Sequence, residues 1–208
     1  MLWYVFLLFT VRVSGSKSVW FIRHCDKPSD GDCCSSTGYD RAKAWASYFK
    51  GLINSDSTAF VASNYADQGS CKKTLGSPSP TYPACQHSQR MWLTASEITN
   101  QMGLENSLIN TDYCTADAMK DVAKLVEKQS SESLVVWEHK QIPDIINELG
   151  VKLSAWPDNL DDVYNIVFRV SNGGGLLEYT CYNYDDGSDK CDKGVDSWLQ
   201  KYASKMVK

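Results

Sequence analysis

Residues 19–28 read VWFIRHCDKP: a run of apolar, β-forming side chains that stops abruptly on arginine, histidine, cysteine and aspartate. A strand buried on both faces reads as a near-continuous apolar run, which is the pattern of a parallel sheet covered by helices. Such a strand does not carry Arg23, His24 and Asp26 at its end for packing, because burying charge is costly. In open α/β sheets, ligands bind at the carboxyl ends of the strands. The stretch is therefore read as a central strand that delivers polar groups to a site.

Working outward, strand and helix patterns alternate. The polar segment CDKPSDGDCCSSTG is a loop, and YDRAKAWASYFKGLI places Ala42, Trp45, Ala46, Phe49 and Leu52 or Ile53 at helical spacing after Thr37 and Gly38. TAFVASNY predicts a strand, and a long loop with Pro78, Pro80 and Pro83 follows it. SQRMWLTASEITNQMG predicts a helix ended by Gly103, NSLIN a short strand, and TADAMKDVAKLVEKQ a helix with Ala118, Val122, Leu125 and Val126 on one face. ESLVVWEH reads as another strand, and IPDIINELG as a helix opened by Pro143 and closed by Gly150. DDVYNIVFRVS and GLLEYTCYNY form a hairpin across NGGG. The alternation predicts an α/β fold with a largely parallel sheet covered on both faces.

The chain has 208 residues, 43% of them hydrophobic and 22% charged, as expected of one globular domain. A net charge of -4 disfavours nucleic acid and anionic membrane surfaces as partners. The eight cysteines show no paired zinc-module spacing, so disulfides and an oxidising compartment are expected. Cys181 with Cys191 is the favoured local pair, Cys71 with Cys85 the next, and Cys25 is the candidate odd thiol. Residues 1–16, MLWYVFLLFTVRVSGS, read as a signal peptide, which makes 17–208 the mature, secreted domain without stable membrane association.

Two of the three histidines end strand-like runs: His24 ends VWFIRH and His139 ends LVVWEH. A neutral imidazole is a good nucleophile near neutral pH. Arginine suits phosphoryl oxygens because its fork bonds two of them and keeps its proton. Arg23 adjoins His24, and Arg90, early in a helix, is the better candidate for a second clamp than Arg41. Arg169 reads as a strand residue facing water, His87 as an exposed loop residue, and Trp45 and Trp137 as core.

FIRHCDKP is similar to the signature of the histidine phosphatase superfamily, the phosphoglycerate mutase-like fold. VVWEHKQIPDIINELG resembles the strand, histidine and helix that carry the second histidine of that family. SQRMWLTA resembles its second-arginine segment, and WPDNLDDVYNIV the closing strand of its bacterial and fungal phosphatase-like members; together these span most of 17–170. The resemblance implies a three-layer sandwich with a mostly parallel central sheet. It also implies a phosphatase that hydrolyses a small-molecule or peptide phosphomonoester through phosphohistidine at His24. Arg23 and Arg90 would hold the phosphoryl oxygens and His139 would donate to them, with no metal or organic cofactor required.

Two departures stand out. Cys25 replaces the usual glycine, and Lys140 replaces the aspartate of the acid-phosphatase branch, which leaves Asp112, Asp26 or Glu138 to act as general acid. Asp112 is placed with the catalytic residues. A thiol enzyme on Cys25 and His139, a mutase-type transferase, and a secreted binding protein that has lost turnover are the rival readings.

Overall fold

A computed structural model describes residues 17–29, 33–54, 58–63, 89–111, 118–171 and 176–206. The signal-peptide segment, His87, Cys71, Cys85 and Asp112 lie outside them. Among the described residues, seven strands form one sheet: β1 (Ser18–Arg23), β2 (Ala59–Ala62), β3 (Ile109–Asn110), β4 (Ser133–Trp137), β5 (Ile166–Ser171), β6 (Leu177–Cys181) and β7 (Ser204–Lys205). Their spatial order is β3-β2-β4-β1-β5-β6-β7. Parallel pairing joins β3 to β2, β2 to β4, β4 to β1 and β6 to β7, while β5 runs antiparallel to both β1 and β6.

Strand alternation divides the core between the two faces of the sheet. Val19 and Phe21 of β1, Val135 and Trp137 of β4, and Ile166 and Phe168 of β5 point to one face. They meet α3 (Met119–Lys128) through Val122 and Val126, α4 (Ile142–Glu148) through Ile142, Ile145 and Ile146, and α5 (Lys193–Leu199) through Val195 and Trp198. Trp20, Ile22, Phe60, Leu134 and Val136 point to the other. There they pack on α1 (Ser36–Phe49) through Trp45 and Phe49, and on α2 (Arg90–Gln101) through Met91, Ala95 and Ile98. The result is a three-layer α/β/α sandwich, as the alternating pattern predicts.

Several local expectations hold in detail. Gly103 and Gly150 adopt φ of 74° and 81° just beyond α2 and α4, a conformation that costs a side chain with a Cβ. Ser35 caps α1 by accepting the Gly38 N–H, so the helix begins before Thr37 and Gly38 rather than after them. The segment NSLIN is a 3-10 turn over Asn106–Leu108, with only Ile109 and Asn110 paired in the sheet. Arg169 does not simply face water: it pairs with Glu178 at 3.2 Å, donates to Ser18 and covers the Trp20 ring. Neither α5 nor β7 was legible in the sequence, because each is short and carries little periodicity.

Disulfides join Cys181 to Cys191, as the local spacing suggests, and Cys25 to Cys34. Cys25 is thus no odd thiol. Its short loop lies at the end of β1, where the chain turns into α1. Among the described residues no helix is long and apolar enough to cross a membrane.

Candidate active site

The site forms where β1 and β4 end side by side. Their parallel register puts Arg23 beside Trp137, and the His24 N–H continues the ladder to the Trp137 carbonyl at 3.1 Å. The chain leaving β1 enters α1 on one face, whereas the chain leaving β4 enters α4 on the other. The crevice that opens between such diverging connections is where ligands bind in α/β sheets. His24, His139 and Arg23 are all buried there, at 1%, 2% and 1% exposure.

His24 is held from both sides. Its Nδ1 lies 2.7 Å from the Cys25 carbonyl, an acceptor only, so Nδ1 carries the proton and donates. In the neutral ring Nε2 then holds the lone pair, and it faces Glu138 Oε2 at 3.1 Å. Burial is the main force pushing the His24 pKa down, to about 4; Arg23 pushes the same way and Glu138 opposes. The imidazole is neutral at physiological pH.

The carbonyl that orients His24 is itself fixed. The Cys25 N–H donates to Thr94 Oγ1 at 2.8 Å, and that hydroxyl donates to the Arg90 carbonyl at 2.7 Å, tying the end of β1 to the first turn of α2. The Cys25–Cys34 disulfide anchors the same residue, and the Ser35 N–H reaches back to the Asp26 carbonyl at 2.9 Å. Gly38 lies so close beneath this loop that a Cβ there would fall 2.8 Å from both Asp26 N and Asp26 O. Cys25 therefore positions the backbone; bonded to Cys34, it has no thiol with which to act as a nucleophile.

Arg23 is held through one nitrogen of its guanidinium and by stacking on a ring. Nη1 donates to the carbonyls of Asp161 at 2.6 Å and Val163 at 2.8 Å, and the guanidinium lies over the Tyr164 ring, 3.7 Å from its centroid. Nε and Nη2 are buried with no hydrogen-bond partner. Burial lowers its pKa to about 10, which leaves the cation intact at neutral pH. A buried donor without a partner is costly, and the donors of a cation more so.

His139 is oriented by the segment after α4. Its Nε2 is 3.2 Å from Asp161 Oδ1 and its ring packs edge-on against Trp156. Its Nδ1 lies 2.5 Å from Glu138 Oε1. Glu138 thus stands between the two histidines, one oxygen toward each. Burial alone would raise its carboxyl, but contacts with His139 and then His24 outweigh that and hold it below the usual carboxylate range.

The structure brings Arg23, His24 and His139 together. Arg90 approaches through its backbone, its carbonyl 3.8 Å from Cys25 Sγ. Asp26 is committed to Arg41 through two hydrogen bonds of 2.7 and 3.1 Å, which removes Arg41 from contention as a free clamp. Lys140 points away to Asp158 and Asp161 on the exposed side. Thr94, Asp161 and Tyr164 were missed by sequence reasoning. Asp161 and Tyr164 are polar residues of a loop, which carry no periodic signal, and Thr94 is a buried polar residue on the inner face of α2; only the tertiary packing makes them neighbours of the site.

No family model and no curated protein matches this sequence. The chain is similar in structure to the open reading frame Rv3214 of Mycobacterium tuberculosis, at 13% identity and a TM-score of 0.45, with 77% of this chain and 95% of that one covered.

Proposed function

We propose that this chain is a secreted histidine phosphatase on a phosphoglycerate mutase-like fold, hydrolysing a phosphomonoester through a phosphohistidine at His24. One observation carries the reading: Arg23 holds two buried, partnerless N–H groups next to a neutral histidine whose Nδ1 is committed to a carbonyl. A phosphoryl group would satisfy those donors, and the fixed tautomer would present Nε2 as the nucleophile.

In the first step the Nε2 lone pair attacks phosphorus in line, the N–P bond forms and the P–O bond to the leaving group breaks. Arg23, with Arg90 as second clamp, balances the charge on the equatorial oxygens, and His139 donates to them. In the second step Glu138 takes a proton from water, the water oxygen bonds to phosphorus, the N–P bond breaks and phosphate departs. Glu138 is ionised at neutral pH, which suits it to that second step. It is a poor donor to a leaving group, so activated esters such as aryl phosphates are the favoured substrates.

Glu138 Oε2 also occupies the space in front of His24 Nε2, at 3.1 Å, and must swing aside for substrate. That favours a second reading, a binding protein of low or no turnover on the same fold. Hydrolysis of an aryl phosphate between about pH 4 and 8 separates them, measured beside His24→Ala together with quenching in alkaline denaturant to trap an acid-labile, base-stable phosphoenzyme. Turnover and a trapped intermediate, both absent from His24→Ala, are the expected result. Activity surviving in that variant would end the catalytic assignment, and a folded wild type inactive throughout would leave the binding protein.

A further inference from the structure

Thr94 is fully buried on α2, and its hydroxyl makes one bond more than its own helix requires. It donates to the Arg90 carbonyl at 2.7 Å, one turn back, which is how a threonine inside a helix ordinarily satisfies itself. With its only proton spent there, the oxygen still has a lone pair to offer. The Cys25 N–H donates to it at 2.8 Å, from a residue 69 positions away in the chain.

Cys25 is also the residue whose carbonyl receives the His24 Nδ1 proton at 2.7 Å. A relay of hydrogen bonds thus runs from the imidazole through Cys25 to the Thr94 hydroxyl and on to the first turn of α2. The disulfide to Cys34 grips Cys25 by its side chain alone, which leaves the peptide free to turn about the side-chain bonds. The Thr94 hydroxyl grips the N–H and removes that freedom. Without it the Cys25 N–H is a buried donor with no partner, and the loop must shift to satisfy it.

Such a shift bears on where the imidazole keeps its proton. Two acceptors compete for the single proton of the neutral ring, the Cys25 carbonyl at Nδ1 and the Glu138 carboxylate, 3.1 Å from Nε2. The ring nitrogen with the better acceptor holds the proton, and the other holds the lone pair. A carbonyl wins against a carboxylate only while it is held in place.

We propose that Thr94 is a positioning residue for His24: by fixing the Cys25 peptide it selects the Nδ1–H tautomer and keeps the Nε2 lone pair available. Selection of the tautomer stands on geometry alone, whereas its effect on turnover rests on the phosphatase reading. Thr94 acts through Cys25, and the anion-holding donors of Arg23 lie on another segment of the site. Its loss therefore lowers the fraction of enzyme with a competent nucleophile, which reduces kcat and leaves KM nearly unchanged.

The test compares Thr94→Val, which removes the hydroxyl, with Thr94→Ser, which restores it. Nitrogen NMR of isotope-labelled protein at neutral pH reads the tautomer of His24, whose signals are those missing from His24→Gln. The wild type and Thr94→Ser should show one tautomer with the proton on Nδ1, and Thr94→Val a mixture or the Nε2–H form. With an aryl phosphate, kcat should fall about tenfold to a hundredfold in Thr94→Val and recover in Thr94→Ser. Thr94→Ala carries the same expectation if Thr94→Val fails to fold. An unchanged tautomer in a folded variant without the hydroxyl would overturn the proposal, as would equal losses of kcat in Thr94→Ser and Thr94→Val. A wild type inactive on aryl phosphates would instead remove the phosphatase reading, and the NMR comparison would still decide what Thr94 does.

Discussion

Replacing Arg23 with Met separates what that residue does for the fold from what it does for an anion. In the native protein its two bonds to the Asp161 and Val163 carbonyls contribute about 1.5–3 kcal/mol each, as hydrogen bonds from a charged group, and the Tyr164 stack adds about 0.5–2 kcal/mol. Against this, the buried, partnerless Nε and Nη2 cost about 1–3 kcal/mol each, and burial of the cation costs several more. The opposing contributions nearly cancel. Met fills a similar channel with no donors to satisfy, so Arg23→Met should unfold within a few degrees of the wild type. An anion changes the balance only where the orphan donors exist. At a hundredfold excess over its Kd, a ligand bound by the native state alone stabilises by about 2.7 kcal/mol. For a chain of this size that is a rise of about 5–10 °C in Tm. Thermal unfolding of both proteins with inorganic phosphate or tungstate reads this directly. The wild type should shift and Arg23→Met should not; equal shifts in the two would refute the claim that Arg23 is held in readiness for an anion.

Acid should destabilise the protein in a defined window. The folded His24 pKa lies near 4 against 6.5 for the free side chain, so the unfolded chain binds the proton first and stability falls as pH drops from about 6.5 to about 4. The loss is about 3 kcal/mol, and the lowered Glu138 carboxyl extends it to more acid pH. Urea midpoints should show this slope, and a His24→Gln variant should be flatter across the window; parallel curves would contradict it. Gly38→Ala reverses the usual helix preference. Alanine ordinarily stabilises a helix interior by about 0.5–1 kcal/mol over glycine, but here its Cβ meets the Asp26 backbone at 2.8 Å. A net destabilisation of about 1–3 kcal/mol is expected in urea unfolding, with loss of aryl phosphatase activity as the Cys25 carbonyl is displaced. A stabilised, fully active Gly38→Ala protein would show that the loop beside His24 tolerates movement.

The sequence by itself determined what is local. The apolar run of β1 ending on Arg23 and His24, the run of β4 ending on His139, the glycine stops at Gly103 and Gly150, the β5–β6 hairpin and the Cys181–Cys191 disulfide follow from side-chain periodicity and short loops, whose effects span only a few residues. Tertiary structure decided everything that depends on which strands are neighbours. Ser18–Arg23 and Ser133–Trp137 are more than a hundred residues apart in the chain, and nothing in either run specifies that they pair in parallel or in what register. That pairing turns two separate strand-end histidines into one cluster, and it places Glu138 between them, where sequence reasoning saw only one of several carboxylates. Asp161, Tyr164 and Thr94 reach the site from a loop and a helix for the same reason: they pack where the ends of β1 and β4 leave space. Cys25 found Cys34 because the chain reverses immediately after His24, and the backbone geometry of that reversal, not the spacing of the cysteines, brings the two sulfurs together.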